Sequence, residues 1–280
     1  MDSLPIQNGF SRQLSTGTLV QFNRKTRIRF QEHIVELYVL VTVAIAFFCG
    51  GIVKGITGLG LPLTSIALMT IVLDLQVAIP LLIVPIIATN IMQAFQGGHF
   101  AELMKKFWPM LITAATGVFA GTYALYRLDS SYLLIALGLI VFLYSINNLC
   151  AVRLRCSEKS WPIVSPVIGF FSGLLAGTTG SIGIPVVIYF QALGMTKNLF
   201  VQALGIQFLV TGTILTISLI REGGFSTEYA TKSALALIPS VLGMFAGKTL
   251  RDKDSEEKFR TWLYVLLLLI GLNLIRKGLF

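Results

Sequence analysis

Long unbroken runs of apolar residues organise this chain. Strict alternation and a one-sided helical stripe are both missing. Residues 34–53 carry a single charge, Glu36, near their start, and 108–126, 131–151 and 260–277 have similar length and character. Such runs match the ~20 residues a helix needs to span a bilayer core. Ten segments follow: 34–53, 61–73, 77–95, 108–126 and 131–151, then 162–177, 184–194, 199–220, 229–249 and 260–277. The pattern predicts an all-α polytopic membrane protein. Composition agrees, with 55% hydrophobic and 12% charged residues, where a soluble domain carries about 25% charged.

The runs also repeat. GVFAG at Gly117–Gly121 returns as GMFAG at Gly243–Gly247, 126 residues later, and Asn147 and Asn273 follow at equal spacing. Gly51, Gly55 and Gly58 return as Gly173, Gly177 and Gly180, shifted by 122. Pro62 returns as Pro185 after one extra residue, and Gly97-Gly98-His99-Phe100 resembles Gly223-Gly224-Phe225. The implied organisation is a polar basic tail (1–33), a first membrane repeat (34–152), a basic linker (153–161) and a second repeat (162–280). Each repeat holds five segments. An odd number turns the second copy upside down, the architecture of many secondary transporters.

Charge refines the picture only slightly. The tail lacks an apolar core beside a small-residue cleavage site, so it does not read as a signal peptide. It is either a surface-lying tail or, through Arg24, Lys25, Arg27 and Arg29, an arm on lipid headgroups. The net charge of +9 bears on orientation rather than nucleic-acid binding. Lys and Arg divide almost evenly between the two sides, and the loops at 152–160 and 248–260 tip the cytoplasmic assignment toward themselves. Cys49, Cys150 and Cys156 form no CxxC, which argues against a disulfide framework. Cys49 and Cys150 lie in apolar runs and read as small buried hydrophobes.

Two segments are too short to cross. Residues 61–73 and 184–194 each follow a glycine-rich turn and open on a proline in the first turn, where its missing N–H costs nothing. They predict helical hairpins with tips inside the membrane, where irregular backbone must line a cavity or be buried in protein. The first N–H groups of such a helix lack intrahelical partners and carry the positive end of its dipole. Two such tips make an anion site. The candidate binding residues are Lys54, Thr57, Gly58 and Gly60 at the first tip and Thr178, Thr179, Ser181 and Gly183 at the second. Hydroxyls donate to an oxyanion without adding charge, and glycine admits a ligand close to the backbone. Close helix packing through GxxxG pairs is a competing account of the glycines, and hydrogen bonds back to helix carbonyls are one of the hydroxyls.

Neighbouring segments add candidates. Asn90 and Gln93 share a helical face, with Gln96 one turn on. Gln207 and Thr211 share a face with Ser218. Polar side chains at membrane depth turn toward the bundle interior, as ligand contacts or as interhelical hydrogen bonds. Asn147 and Asn273 read as structural glue. Lys54 is either a buried cation that attracts an anion or an interfacial one that snorkels, and Lys248 reads as interfacial. His33 and His99 lie at segment margins. No carboxylate sits clearly in a span, and neither HExxH nor GxxxxGK[ST] occurs, which disfavours a hydrolase and an ATP-driven pump.

GIVKGITGLGLP and GLLAGTTGSIGIP, the paired GVFAG and GMFAG, and the GGHF-to-Trp108 stretch together resemble the sulfite exporter TauE/SafE family over nearly the whole chain past the tail. The resemblance implies export of small anions, sulfite or organosulfonates such as sulfoacetate, across the bacterial cytoplasmic membrane. No cofactor, metal or nucleic acid is expected. The expected partners are a small anionic substrate and the lipid bilayer, while the coupling ion (proton or sodium) and a homo-oligomer stay open. A passive small-anion channel, or a carrier of another oxyanion or carboxylate, is the alternative.

Overall fold

The computed structural model describes residues 37–150, 161–251 and 256–280. The predicted tail, all but Trp161 of the predicted linker, and with them Cys156, His33, Arg153, Arg155, Lys159 and Lys253 lie outside the described residues. Much of the charge behind the expected orientation therefore lies outside as well.

All regular structure among the described residues is helical. Helix α1 spans Leu37–Thr57, and α2 (Leu61–Met69), α3 (Leu75–Phe95), α4 (Phe100–Leu125) and α5 (Ser130–Leu149) follow. The second set is α6 (Trp161–Thr179), α7 (Ile184–Ala192), α8 (Lys197–Arg221), α9 (Thr227–Arg251) and α10 (Glu256–Leu279). Packing below refers to the compact body Thr42–Phe280.

Most helices outrun their apolar segments, because polar flanks continue the backbone ladder beyond the hydrocarbon. The half-length pair is instead shorter than expected, at 9 residues each. In α2 the hydroxyl of Thr70 donates to Ile66 O and Ala67 O and closes the last turn. Helix α1 runs beyond its predicted end at residue 53 to Thr57. Lys54 is thereby placed inside the helix, in its last turn.

Among the described residues six helices, α1, α3, α5, α6, α8 and α9, are long and apolar enough to cross a membrane. Their outward faces suit lipid. On α9, Leu235, Ile238, Leu242 and Phe245 recur at helical spacing and are exposed, whereas Ser233 and Ser240 are fully buried. A soluble helix shows the reverse arrangement. The chain is a multi-pass integral membrane protein.

Glycines set how the helices meet. A Cβ at Gly117 or Gly121 of α4 would fall on the carbonyl oxygens of Phe170 and Leu174 of α6, and one at Gly173 or Gly177 on those of Ala114 and Val118. The same crossing joins α1 to α9, where Gly51 and Gly55 meet Ser240 O and Met244 O, and Gly243 and Gly247 meet Phe48 O and Ile52 O. Both crossings are parallel, with backbones too close for any side chain. Helices α3 and α8 cross antiparallel: Gly205 lies on Gln93–Ala94 and Gly212 on Ile86. So do α5 and α10, with Gly138 against Gly271 and Gly278 against Ser131.

Side chains from neighbouring helices close the gaps that irregular backbone leaves. Pro85 cannot donate to Leu81 O, and Ser233 Oγ of α9 donates to that oxygen at 2.8 Å. Gln202 of α8 donates to Ala94 O (3.1 Å) near the end of α3 and accepts from His99 N (3.3 Å).

Some expectations fail. Cys150 is exposed and Cys49 only half-buried, both unpaired, because Cys150 is the residue that ends α5. Gln96 is exposed and terminates α3 instead of extending the Asn90–Gln93 face. Asn273 is exposed and accepts from Arg276 on its own helix (3.0 Å), instead of bonding across to a second helix among the described residues.

Candidate functional site

Each half-length helix begins at a glycine whose place only a residue without Cβ accepts readily. Gly60 (φ 98°) and Gly183 (φ 94°) are the N-cap residues of α2 and α7, both left-handed, and no side chain caps either helix. The left-handed region costs other residues about 1–2 kcal/mol. Space forbids a Cβ as well: at Gly60 it would lie 2.7 Å from Val53 Cγ1, and at Gly183 it would enter the Phe208 ring. A proline follows in the first turn of each helix. The first backbone bonds to the caps are Thr64 N to Gly60 O (3.0 Å) and Val187 N to Gly183 O (2.8 Å). Earlier N–H groups, those of Leu61 and Leu63 and of Ile184 and Val186, therefore have no acceptor in their own helix.

The two hairpin tips face one cavity. Leu59, Gly60, Pro62 and Leu63 line it from the first hairpin, and Ile182, Ile184 and Val187 from the second. Tyr144 of α5 and Phe208 of α8 complete the lining. Its volume is about 10 Å³, room for roughly one water.

The first tip is polar and cross-braced. Lys54 is 2% exposed, and its Nζ donates to Asn90 Oδ1 of α3 at 2.7 Å. Asn90 Nδ2 in turn donates to Ile86 O (2.7 Å), which fixes the amide with its oxygen toward the lysine. Gln93 Nε2 donates to Gly58 O at 2.9 Å. Thr57 Oγ1 lies 2.9 Å from Val53 O and 2.8 Å from Leu59 O, and it accepts from Leu59 N (3.3 Å). Its hydroxyl thus shapes the turn from within.

The second tip is organised differently. Thr178 Oγ1 donates to Leu174 O (2.9 Å) and Thr179 Oγ1 to Leu175 O (2.8 Å), each one turn back along α6. Ser181 is fully buried, and its Oγ has no hydrogen-bond partner among the described residues. Gln207 Nε2 donates to Thr211 Oγ1 (3.1 Å) on α8, and Gln207 Oε1 is buried without a partner among the described residues. Phe208, the next residue, is what touches Gly183.

A family model described as "Sulfite exporter TauE/SafE" matches residues 43–274. The chain belongs to the TauE/SafE family. Among curated proteins and solved structures, none matches it. Family membership makes the protein a membrane transporter of the sulfite and small-anion exporter class rather than a member of an enzyme family. Among the described residues of this TauE/SafE protein, no three His, Cys, Asp or Glu side chains are placed to hold a metal ion.

Direct contacts join Lys54 to Asn90 and Gln93 to Gly58, with Thr57 in the same turn. Thr178, Thr179, Ser181 and Gly183 share the second tip. Gln207 and Thr211 bond to each other and reach that tip only through Phe208. Of all these expected residues, Gly60 alone lines the cavity. Tyr144 and Phe208 escape a reading of the sequence. Each is an aromatic within an apolar run, and an apolar run offers no signal for which ring points inward.

Proposed function

We propose that this TauE/SafE protein is a secondary exporter of small oxyanions, sulfite or an organosulfonate of the sulfoacetate kind, in a bacterial cytoplasmic membrane. It works by alternating access around the two hairpin tips. The observation that carries the reading is the shared cavity between two uncapped helix N-termini. Each presents backbone N–H groups and the positive end of a dipole. The buried hydroxyl of Ser181 adds a donor still free to take an acceptor.

In this reading the site comprises Lys54, Thr57, Gly58, Gly60, Asn90 and Gln93 on one side and Thr178, Thr179, Ser181, Gly183, Gln207 and Thr211 on the other. The antiparallel crossings of α3 with α8 and of α5 with α10 support two inverted repeats, since each pair matches a segment with its copy. At about 10 Å³ the space between the tips holds roughly one water, so an oxyanion fits only when the tips part. A site too small for its ligand until the tips separate suits a carrier that rocks between two faces better than an open pore.

Counterflow tests this. Purified full-length protein in liposomes preloaded with sulfite is expected to accumulate labelled sulfite from outside, with saturation. Flux that rises linearly with sulfite and shows no counterflow would make the protein a channel. The absence of any sulfite or organosulfonate flux would overturn the reading.

A further inference from the structure

Lys54 is the only charged side chain buried among the described residues. It has no ion-pair partner there; its one hydrogen bond is to a neutral amide oxygen. An ammonium has three N–H donors, so two are unspent. The 122-residue shift that superposes the glycines places Ala176 opposite Lys54, and Ala176 is fully buried. One hairpin therefore brings a basic side chain and the other brings none. Lys54 O accepts from Gly58 N at 2.8 Å, and the neighbouring Val53 side chain lies directly beneath Gly60. Lys54 thus belongs to the last turn of α1, in the segment that leads into Leu59 and Gly60 of the cavity wall, and in this proposal it acts on the cavity through its field.

We infer that the site is tuned to a single negative charge: Lys54 is the sole counter-charge, so a monovalent tetrahedral oxyanion is bound in preference to a neutral or a divalent one of the same shape. The inference rests on the anion-exporter reading and narrows its substrate class to hydrogensulfite or a singly charged sulfonate, against the doubly charged sulfite and sulfoacetate. A buried charge without a partner is costly. A monoanion brings the cation and its ligand to neutrality, and a neutral ligand leaves the ammonium uncompensated. A dianion leaves one negative charge over in a low-dielectric site, where the hydroxyls and N–H dipoles contribute only partial charges. Asn90 is a positioning residue in this scheme. It holds the ammonium while leaving donors free.

Three isosteric probes differ almost only in charge: dimethyl sulfone (0), methanesulfonate (−1) and sulfate (−2). Calorimetric titration of the full chain in lipid nanodiscs is expected to show methanesulfonate binding about tenfold or more tighter than either of the others. In Lys54→Gln, which keeps a donor for Asn90, methanesulfonate is expected to fall to or below the level of dimethyl sulfone. A role in folding alone would weaken all three probes in parallel, and that result overturns the inference. So does wild-type binding of sulfate equal to or tighter than methanesulfonate, although the anion-exporter reading would stand. Binding of none of the three overturns both. Where Lys54→Gln fails to fold, the wild-type ranking of the three probes alone decides.

Discussion

Ser233 Oγ on α9 donates to Leu81 O on α3 at 2.8 Å and accepts from Val84 N at 3.0 Å. One hydroxyl thus serves both backbone groups beside the break that Pro85 makes. Ser233→Ala would leave Leu81 O buried without a donor, at a cost of about 1–3 kcal/mol. Thermal unfolding in detergent is expected to show a clearly lower Tm for Ser233→Ala. Adding Pro85→Ala gives Leu81 O a helical donor again. The double variant is therefore expected to recover part of the loss. Additive effects would mean that Ser233 acts only by filling space.

Packing at the glycine crossings makes a second expectation. Gly173→Val drives two methyl groups onto the Ala114 carbonyl where α6 and α4 touch. Overpacking a tight interface costs about 1–3 kcal/mol or more, and here the obstacle is backbone that cannot turn aside. Folded yield on size-exclusion chromatography is expected to collapse. Leu242→Ala, on the outward face of α9, is expected to elute like the wild type.

The two results come from features of unequal visibility in the sequence. The half-length helices are legible because glycine, proline and run length all mark a backbone event, and backbone events are local. The mating of α4 with α6 and α1 with α9 is legible only as a set of GxxxG pairs. A glycine pair declares a close neighbour without naming it. The Ser233 link is not legible at all, since serine in an apolar run looks the same whether it caps its own helix or mends another. The sequence leaves two readings of Lys54 open because burial turns on where α1 ends. The helix continues to Thr57 and takes the lysine in with it. Asn90 and Gln93 are visible from their shared helical face. Tyr144, Phe208 and Gln202 depend on tertiary neighbours that periodicity does not encode.

A third expectation concerns the second tip. Gly183 is left-handed and lies against the Phe208 ring, so Gly183→Ala combines backbone strain with a clash. The strain alone is worth about 1–2 kcal/mol. It falls at the cap of α7, where the unpaired N–H groups are aimed. Sulfite counterflow is expected to drop roughly tenfold or more, since every ~1.4 kcal/mol is a factor of ten, while folded yield declines far less. Adding Phe208→Ala removes the clash but not the strain, so only partial recovery is expected. Full recovery would show that cap geometry does not matter to transport.

The Lys54–Asn90 pair separates stability from function. Asn90→Leu removes the only acceptor that the ammonium has among the described residues and leaves it buried without a hydrogen bond. A buried hydrogen bond to a charged group is worth about 1.5–3 kcal/mol. Asn90→Leu is therefore expected to unfold at a much lower temperature than the wild type. Lys54→Met fills the same channel with an uncharged chain of similar length, so Lys54→Met/Asn90→Leu is expected to return close to wild-type Tm. Transport should not return with it, because the site's counter-charge is gone. Sulfite counterflow by the double variant is expected to stay at least about tenfold below wild type, whereas Lys105→Ala, at an exposed position on α4, leaves it unchanged. A stable double variant that transports normally would reduce Lys54 to a structural strut.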